Sequence, residues 1–113
     1  MAVPHPIPDE LADLIARRFR VLGDPLRVRM LDLLRDEELS VNEFAERLHA
    51  GQQNISKHLA LLADAGMVAR RKVGTRVYYR IADVAIFELC ELVCGSLQDQ
   101  VAALAEVVGG SST

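Results

Sequence analysis

The chain has 113 residues, 50% of them hydrophobic and 26% charged, which is the size and balance of one folded domain. This composition excludes disorder, collagen-like repeats and a disulfide-stabilised miniprotein. With 4% aromatic residues and no tryptophan, a platform that stacks bases on aromatic rings is not expected. No apolar run approaches the roughly 18–20 residues that cross a bilayer, and the N-terminus lacks a secretory pattern. Two cysteines four residues apart suit a reducing compartment, so we expect a cytoplasmic protein without membrane contact.

The charge is unevenly distributed along the chain, although the net value is only −3. Between Gly51 and Ala82, six basic residues accompany a single acid, Asp64, which gives a local charge of +5. The rest of the chain has seven basic and fifteen acidic residues and carries −8. A concentrated basic segment on an acidic body is typical of a nucleic-acid reader, and a solvated basic hairpin is the alternative interpretation.

The first part of the chain predicts two helices. The first runs from about Pro8 to Leu22, and Gly23 is expected to end it in a left-handed conformation. Asp24 followed by Pro25 predicts the start of the second helix, because Asp caps free N–H groups and Pro fits the first turn. The apolar residues at helical spacing are Leu11, Leu14, Ile15, Phe19 and Leu22, then Met30, Leu31, Leu33 and Leu34.

Two shorter helices follow. Ser40 and Glu43 have the spacing of a capping box and predict a third helix over residues 41–48. After a break at residues 49–51, a fourth helix is predicted over residues 52–64. Its expected buried side consists of Ile55, Leu59 and Leu62. Two short helices joined by a tight turn form a helix-turn-helix.

The pattern then changes to strands. Residues 67–73 and 76–81 are rich in β-branched and aromatic residues, and Gly74 with Thr75 between them predicts a two-stranded hairpin. Asp83 is placed to cap a long final helix that runs to about Val107. A helix-turn-helix followed by a basic hairpin is a winged helix. The predicted fold is mainly α (an α+β winged helix) with four helices, a hairpin wing and a long C-terminal dimerisation helix, in one domain with flexible ends: residues 8–108, flanked by 1–7 and 109–113.

On these motifs the sequence resembles the ArsR/SmtB-type winged helix-turn-helix repressors of bacteria. The resemblance covers about Leu11 to Leu97, and its motifs stand in family order. They are Leu22–Leu34 (LGDPLRVRMLDLL), Ser40–Leu48 (SVNEFAERL), Gln52–Leu62 (QQNISKHLALL), Ala65–Val68 (AGMV) and Gly74–Arg80 (GTRVYYR). The resemblance implies a homodimeric repressor that leaves double-stranded operator DNA when an effector binds, commonly a metal or metalloid ion and sometimes a thiol oxidant.

The fourth helix is the predicted reading element, because the major groove admits one α-helix whose first turns reach the base edges. With its apolar stripe buried, the outward residues are Gln52, Gln53, Asn54, Ser56 and Lys57. Amides pair with the donor and acceptor edge of adenine, and Lys57 suits guanine or phosphate. The alternative is that the amides are ordinary polar residues of a solvated helix. For His58 we expect a role in the fold or at a phosphate rather than metal ligation.

The hairpin is expected to lie against the adjacent backbone or minor groove. Its predicted DNA contacts are Arg71, Lys72, Thr75 and Arg76. Of Tyr78 and Tyr79, one is expected to pack and the other to donate its hydroxyl to a phosphate. Arg27 and Arg29 match family positions, and structural ion pairs are an equal alternative for them.

The last helix carries apolar residues at alternating spacings of three and four, an unbroken a/d heptad seam. The seam consists of Phe87, Cys90, Cys94, Leu97, Val101, Leu104 and Val108. So small a domain cannot bury that stripe alone, so we predict a two-fold homodimer with Leu11 and Ile15 of the first helix beside the seam.

Cys90 and Cys94 fall on this seam and allow two interpretations. They are either small apolar fillers or a sensor in which thiols bind a soft metal ion or become oxidised. The chain departs from the family's sensing patterns in three ways: the third helix lacks the thiols of an arsenic-type site, no histidine follows His58 to complete a zinc site, and the second helix lacks the partner cysteine of a thiol switch. We therefore predict no metal site of a known family pattern and no resident cofactor, and sensing by a soft metal ion or by oxidation at Cys90 and Cys94 would use a variant site.

An enzyme is not expected, because the sequence has no glycine-rich phosphate loop and no metal triad, and only three histidines. The competing class is a winged helix that docks a protein partner and does not bind DNA. The basic hairpin and the amides at the start of the fourth helix favour DNA.

Overall fold

The computed structural model describes residues 2–111, and the order of elements is the predicted one with an added strand. The helices are α1 (Asp9–Leu22), α2 (Pro25–Leu33), α3 (Val41–Leu48), α4 (Gln52–Asp64) and α5 (Ala85–Ser111). The strands are β1 (Leu39–Ser40), β2 (Val68–Val73) and β3 (Arg76–Ile81). The chain divides into two compact units, one up to Asp83 and the other from Val84. Of the ends predicted to be flexible, Met1, Ser112 and Thr113 lie outside the described residues.

The predicted starts of α2 and α3 are confirmed in atomic detail. Asp24 Oδ1 accepts the N–H groups of Leu26 and Arg27 at 2.9 and 3.2 Å, and Pro25 occupies the first turn. Ser40 Oγ accepts the Glu43 N–H at 3.3 Å, and the Ser40 N–H donates to Glu43 Oε1 at 3.0 Å. Each cap satisfies N–H groups that a helix cannot pair internally.

One turn differs from expectation, and a second has its left-handed residue at a position other than glycine. Gly23 is not left-handed, with φ −82° and ψ 35°, because its N–H closes a tight turn onto the Arg20 carbonyl. A Cβ at Gly23 would lie 3.2 Å from the Phe19 carbonyl oxygen, so close approach favours glycine there. Between α3 and α4 the left-handed residue is His49, at φ 52°, whereas Gly51 has ordinary extended angles. Gly51 is therefore not required by the backbone.

The hairpin is part of a three-stranded antiparallel sheet with the order β1-β3-β2. The sequence prediction missed β1, since two residues beside a charged segment carry no strand periodicity. Leu39 pairs with Tyr79 and Ser40 with Tyr78, so β1 attaches the outer side of β3 to the segment that caps α3. The wing is thereby fixed to the helix-turn-helix by backbone hydrogen bonds.

The core of the first unit is built mainly from the predicted apolar positions. The α4 stripe is buried as predicted, and Phe44 of α3 packs at 0% exposure. The remaining buried side chains in this unit come from α2, the sheet and the connections: Met30, Leu31, Leu34, Leu39, Met67 and Val68. This core fixes α4 so that its opposite side faces solvent.

Helix α5 begins at Ala85 and continues to Ser111, four residues beyond the predicted end at Val107. Asp83, the expected cap, accepts a hydrogen bond from Arg18 of α1 at 3.0 Å. Within the described residues, no helix is both long enough and apolar enough to cross a bilayer.

Candidate nucleic-acid interface

The predicted reading residues form one exposed polar ridge on α4. All five side chains are exposed, while Ile55, Leu59 and Leu62 on the other side of the same helix are at 0% exposure. The ridge consists of Gln52, Gln53, Asn54, Ser56 and Lys57. Because the buried stripe fixes the rotation of α4, the amides stay directed outward without rearrangement.

The N-terminus of α4 is open, unlike those of α2 and α3. Its N-cap, Gly51, offers no side-chain hydrogen bond, and its first turn contains no acidic residue. The first N–H groups of a helix carry partial positive charge and point along the axis, so they attract anions such as phosphate. The amide ridge therefore begins at a helix end that is itself suited to a phosphate.

The hairpin divides its predicted contacts between two faces. In the β2–β3 register Arg71 pairs with Tyr78 and Val73 with Arg76, so Arg71 and Arg76 lie on one face. Lys72 pairs with Val77 and therefore lies on the opposite face, and Thr75 sits in the turn. All four predicted contacts are exposed. The wing therefore presents basic groups on both sides of its tip.

Arg71 is already paired within the molecule. Its Nε and Nη2 donate to the two carboxylate oxygens of Glu38 at 3.0 and 2.5 Å, a bidentate ion pair that reaches across β3. The hydrogen bond from Arg71 lowers the pKa of the Glu38 carboxyl below its ordinary value, with further contributions from the charges of Arg71 and Arg80. Arg71, a predicted phosphate contact, uses two of its five N–H donors on Glu38, so the carboxylate competes with a phosphate for this guanidinium.

Glu38 was missed by sequence reasoning. It lies 33 positions from Arg71, and only the register of β1 on β3 brings the two onto one face. Nothing in the local sequence marks Glu38 within its acidic run.

Arg76 faces the start of α3. A cleft of about 460 Å³ lies between the hairpin turn and α3, lined by Ser40, Asn42, Glu43, Glu46, Thr75 and Arg76 among others. The backbone hydrogen bond from Ser40 is the main cause that lowers the pKa of the Glu43 carboxyl, and the charge of Arg76 contributes. Arg76 at the hairpin tip therefore lies close enough to the start of α3 for its charge to act on Glu43, the acid of the α3 capping box.

The two tyrosines are both half-buried and lie on opposite faces of the sheet. Tyr79 lies on the face of Leu39 and Val68, and the Arg70 guanidinium carbon is 6.0 Å from its ring centroid, a cation–π geometry. Tyr78 is half-buried on the other face, opposite Arg71.

Arg27 is engaged within the fold by hydrogen bonds, so it has a structural role whether or not it also contacts DNA. Its Nε donates to the Val21 carbonyl at 2.5 Å, its Nη2 to the Arg20 carbonyl at 3.3 Å, and its Nη1 to His58 Nδ1 at 3.0 Å. His58 is half-buried beside the ridge. Arg29, by contrast, is exposed.

The residues predicted to form a dimer seam present a large apolar face on α5. Leu97, Val101 and Leu104 are 54%, 64% and 65% exposed, while Phe87 and Cys90 are half-buried. On α1, no residue is buried: Leu11 and Ile15 are half-buried, and Leu14 and Phe19 remain 57% and 55% exposed. Each helix therefore carries exposed apolar side chains.

The two thiols are free. Cys90 is half-buried and Cys94 is exposed. Among the described residues, no group of three or more His, Cys, Asp or Glu side chains is placed to hold a metal ion.

Comparison with known proteins agrees with this fold. A family model described as a helix-turn-helix domain matches residues 22–71. The HTH-type transcriptional regulator Rv0081 of Mycobacterium tuberculosis is 35% identical over 111 residues, covering 93% of this chain and 97% of that protein. Its crystal structure superposes with a TM-score of 0.79 at 31% identity, over 87% of this chain and 99% of that one.

Two further relatives extend the likeness. The regulator KmtR of M. tuberculosis is 40% identical over 86 residues, 76% of this chain. The homodimeric winged helix-turn-helix DNA-binding domain of a possible ArsR-family regulator from Mycobacterium bovis gives a TM-score of 0.70 at 33% identity, over 93% of this chain and 92% of that one. This chain spans 66% of the length of KmtR and 59% of that of the M. tuberculosis repressor SmtB.

The fold, the basic wing and these relatives define a winged helix-turn-helix protein of the transcription-regulator class. More particularly, the chain belongs to the ArsR/SmtB-type family of transcriptional regulators.

Proposed function

We propose that this chain is a sequence-specific DNA-binding repressor that acts as a homodimer and has no catalytic role. The observation that carries the proposal is the exposed polar ridge of α4. Its amides lie on the side of the helix opposite the buried apolar stripe, and a basic hairpin follows in the same unit. The relative SmtB, which is named a transcriptional repressor, supports repression as the direction of control. Such a regulator acts where the bacterial chromosome is, in the cytoplasm.

Base reading is assigned to the amide side chains. Gln52, Gln53 and Asn54 each offer a donor and an acceptor, the pair that the major-groove edge of adenine complements. Ser56 adds a short hydroxyl one turn further along, and Lys57 reaches guanine or phosphate. The N–H groups of the first turn of α4, which Gly51 leaves without a side-chain cap, support a phosphate at the start of the helix.

Affinity is assigned mainly to phosphate contacts from the wing. Lys72, Thr75 and Arg76 are exposed at or near the hairpin tip, and Arg71 adds a contact for which Glu38 competes. Neutralising about four to six phosphates per dimer predicts a log–log dependence of affinity on salt with a slope of about −4 to −5.

Dimerisation is proposed through the apolar faces of α1 and α5. Two recognition helices must stand about one DNA turn, ~34 Å, apart, which requires a fixed two-fold arrangement. The homodimeric M. bovis relative supports the same assembly here. Sedimentation at micromolar concentration tests this proposal: we expect the wild-type chain to be a dimer and the Leu97→Glu variant to be a monomer. If the wild type sediments as a monomer, with the same mass as the variant, the proposal is rejected.

Release by an effector belongs to the same proposal, with Cys90 and Cys94 as its candidate site. One chain supplies two thiolate donors, so a three- or four-ligand soft-metal site needs thiols from a second copy. Alternatively hydrogen peroxide oxidises two thiols to a disulfide: the thiols lose two electrons and two protons, and the hydrogen peroxide accepts them and is reduced to two waters. Operator affinity that is unchanged by oxidant and soft metal ions, and by Cys90→Ser, would identify both cysteines as fillers.

Selection of bound duplexes from a random pool tests DNA recognition directly. We expect a two-fold symmetric consensus whose half-sites are bound more tightly than scrambled DNA in gel-shift titrations. Selection that enriches no sequence, together with equal binding to every duplex, would instead favour a protein-interaction module.

A further inference from the structure

Two arginines connect the recognition helix α4 to α1 at separate points along its length. Arg18 of α1 donates from Nη2 to the Ala65 carbonyl, the C-cap of α4, at 3.1 Å. Arg27 donates to His58 on α4 and, with its other nitrogens, to the carbonyls of Arg20 and Val21 at the end of α1. One connection is direct, and the other passes through the first turn of α2.

The hydrogen bond from Arg27 determines which ring nitrogen of His58 is the acceptor. A guanidinium has only N–H donors, so His58 Nδ1, 3.0 Å from Nη1, must accept and the ring proton must lie on Nε2. The other Arg27 donors lie on carbonyls at the C-terminus of α1, where the helix dipole favours a cation. Charge-assisted hydrogen bonds of this kind are roughly twice as strong as neutral ones.

Two attachment points constrain a helix differently from one. His58 and Ala65 are separated by about two turns, roughly 10 Å at 1.5 Å per residue. The core sets the rotation of α4 about its own axis, and two anchors at this separation add a constraint on the direction of that axis relative to α1. Arg18 further binds Asp83 at 3.0 Å, so its guanidinium is held from both sides.

We infer that Arg18 and Arg27 are positioning residues that set the spacing at which the dimer reads its two half-sites. The inference rests on the proposed function, in which α1 contributes apolar surface to the dimer. Because α1 joins the two copies, any freedom of α4 relative to α1 becomes freedom in the distance between the two recognition helices. One inserted base pair moves a half-site by about 3.4 Å and turns it around the DNA axis, so a rigid α1–α4 connection gives a narrow spacing preference.

The test compares operators that differ only in spacing. Duplexes carry the selected half-sites with zero, one or two base pairs added to or removed from the centre, and a half-site duplex carries one scrambled half. The protein is the full chain and its Arg18→Lys, Arg27→Lys double variant, which keeps every charge but cannot bridge two partners with one planar fork. Arg17→Lys is the matched control, since Arg17 is an exposed α1 residue with no side-chain hydrogen bond in the described part of the chain.

We expect wild type and Arg17→Lys to prefer one spacing at least 10-fold over its neighbours. The double variant should bind that operator about 10-fold more weakly and show less than a 3-fold spacing preference. Its half-site affinity and salt slope should equal those of wild type, because the reading surface is unchanged. A wild-type spacing profile in the double variant would overturn the inference, and so would an equal loss on the half-site duplex, which would indicate a distorted ridge. Wild type without sequence-specific binding would refute the proposed function instead.

Single substitutions at His58 separate positioning from general stability. His58→Asn retains an acceptor near the Nδ1 position, whereas His58→Leu removes it. We expect His58→Asn to keep the spacing preference and His58→Leu to lose it, in samples whose thermal unfolding shows both variants folded at the assay temperature. Equal spacing profiles for these two variants would contradict the assignment.

Discussion

The two helices of the helix-turn-helix differ in how their first turns are satisfied. Helix α3 has a complete capping box, with Glu43 and Ser40 paired reciprocally. Helix α4 has Gly51 as its N-cap, with no side-chain cap and no acid in its first turn, although it is the longer helix and carries the exposed amides. The N-terminus that stabilises the fold is closed, and the one that faces the proposed ligand is open. Optimising the second for stability should therefore reduce binding.

The largest expected effect is the loss of DNA affinity when a charged side-chain cap is added at the N-terminus of α4. Gly51→Asp supplies the missing cap, and a Cβ there meets nothing within 4 Å, so the fold should be stabilised by a few tenths of a kcal/mol. The same carboxylate faces the proposed phosphate, and we expect DNA affinity to fall about 100-fold. Gel shift and urea unfolding measure the two effects. Gly51→Ser, a cap without charge, is the control; equal DNA affinity for Gly51→Asp and wild type would mean that the open end does not meet DNA.

Substitutions on the ridge and on the wing should differ in kind. Gln53→Ala removes a base-edge contact worth about 1–3 kcal/mol and should reduce the ratio of operator to scrambled affinity.

Arg76→Ala removes a phosphate contact and should weaken both duplexes alike, with a salt slope shallower by about 0.9 per chain. Titrations at several salt concentrations check both. Equal losses on both duplexes for Gln53→Ala would remove it from base reading.

Opening the cap of α3 should affect stability and leave recognition intact. Ser40→Ala leaves the Glu43 N–H without its side-chain partner, and we expect a loss of about 1 kcal/mol in the free energy of unfolding. Urea unfolding measures it. DNA affinity, measured where the variant is fully folded, should remain within about 2-fold of wild type; a larger loss would show that α3 also faces DNA.

Within the wing, Glu38 should oppose DNA binding through its ion pair with Arg71. Glu38→Gln leaves the guanidinium available, and we expect operator and scrambled DNA to bind about 2- to 5-fold more tightly, with a steeper salt slope. Glu37→Gln is the matched control, because its carboxylate pairs with Arg47 of α3 at 2.7 Å. Weaker binding by Glu38→Gln would show that the pair orients Arg71 for its phosphate.

The smallest expected effect is the pH dependence of the stability that the capping carboxylates of α2 and α3 contribute. The backbone hydrogen bond of Arg27 is the main cause that lowers the pKa of Asp24, and that of Ser40 lowers the pKa of Glu43. A carboxyl whose pKa is lower in the folded state stabilises it above the ordinary pKa and loses that contribution as the pH falls through the folded value. The stability difference between wild type and Glu43→Gln should therefore shrink from pH 7 to pH 3. A constant difference in thermal midpoint would contradict it.

Much of the recognition helix could be predicted because its information is local. The period of Ile55, Leu59 and Leu62 fixed both the helix and its outward face, and the caps at Asp24 and Ser40 placed the preceding helices. Most of the errors occurred where distant segments meet, whereas the one at Gly23 is local. The strand β1 and the Glu38–Arg71 pair depend on pairing with β3, and the negative φ of Gly23 depends on the turn that its N–H closes.

The sequence alone determined which helix turns its amides outward, where each helix begins, and that a basic hairpin follows, since hydrophobic period and capping act over a few residues. Only the tertiary structure decided that Arg71 is held by an acid, that β1 attaches the wing, and that Arg18 and Arg27 connect the reading helix to α1. Those contacts join residues 31 to 65 positions apart or cross-strand partners, and no local pattern specifies such pairs because the folded chain alone brings them within hydrogen-bonding distance.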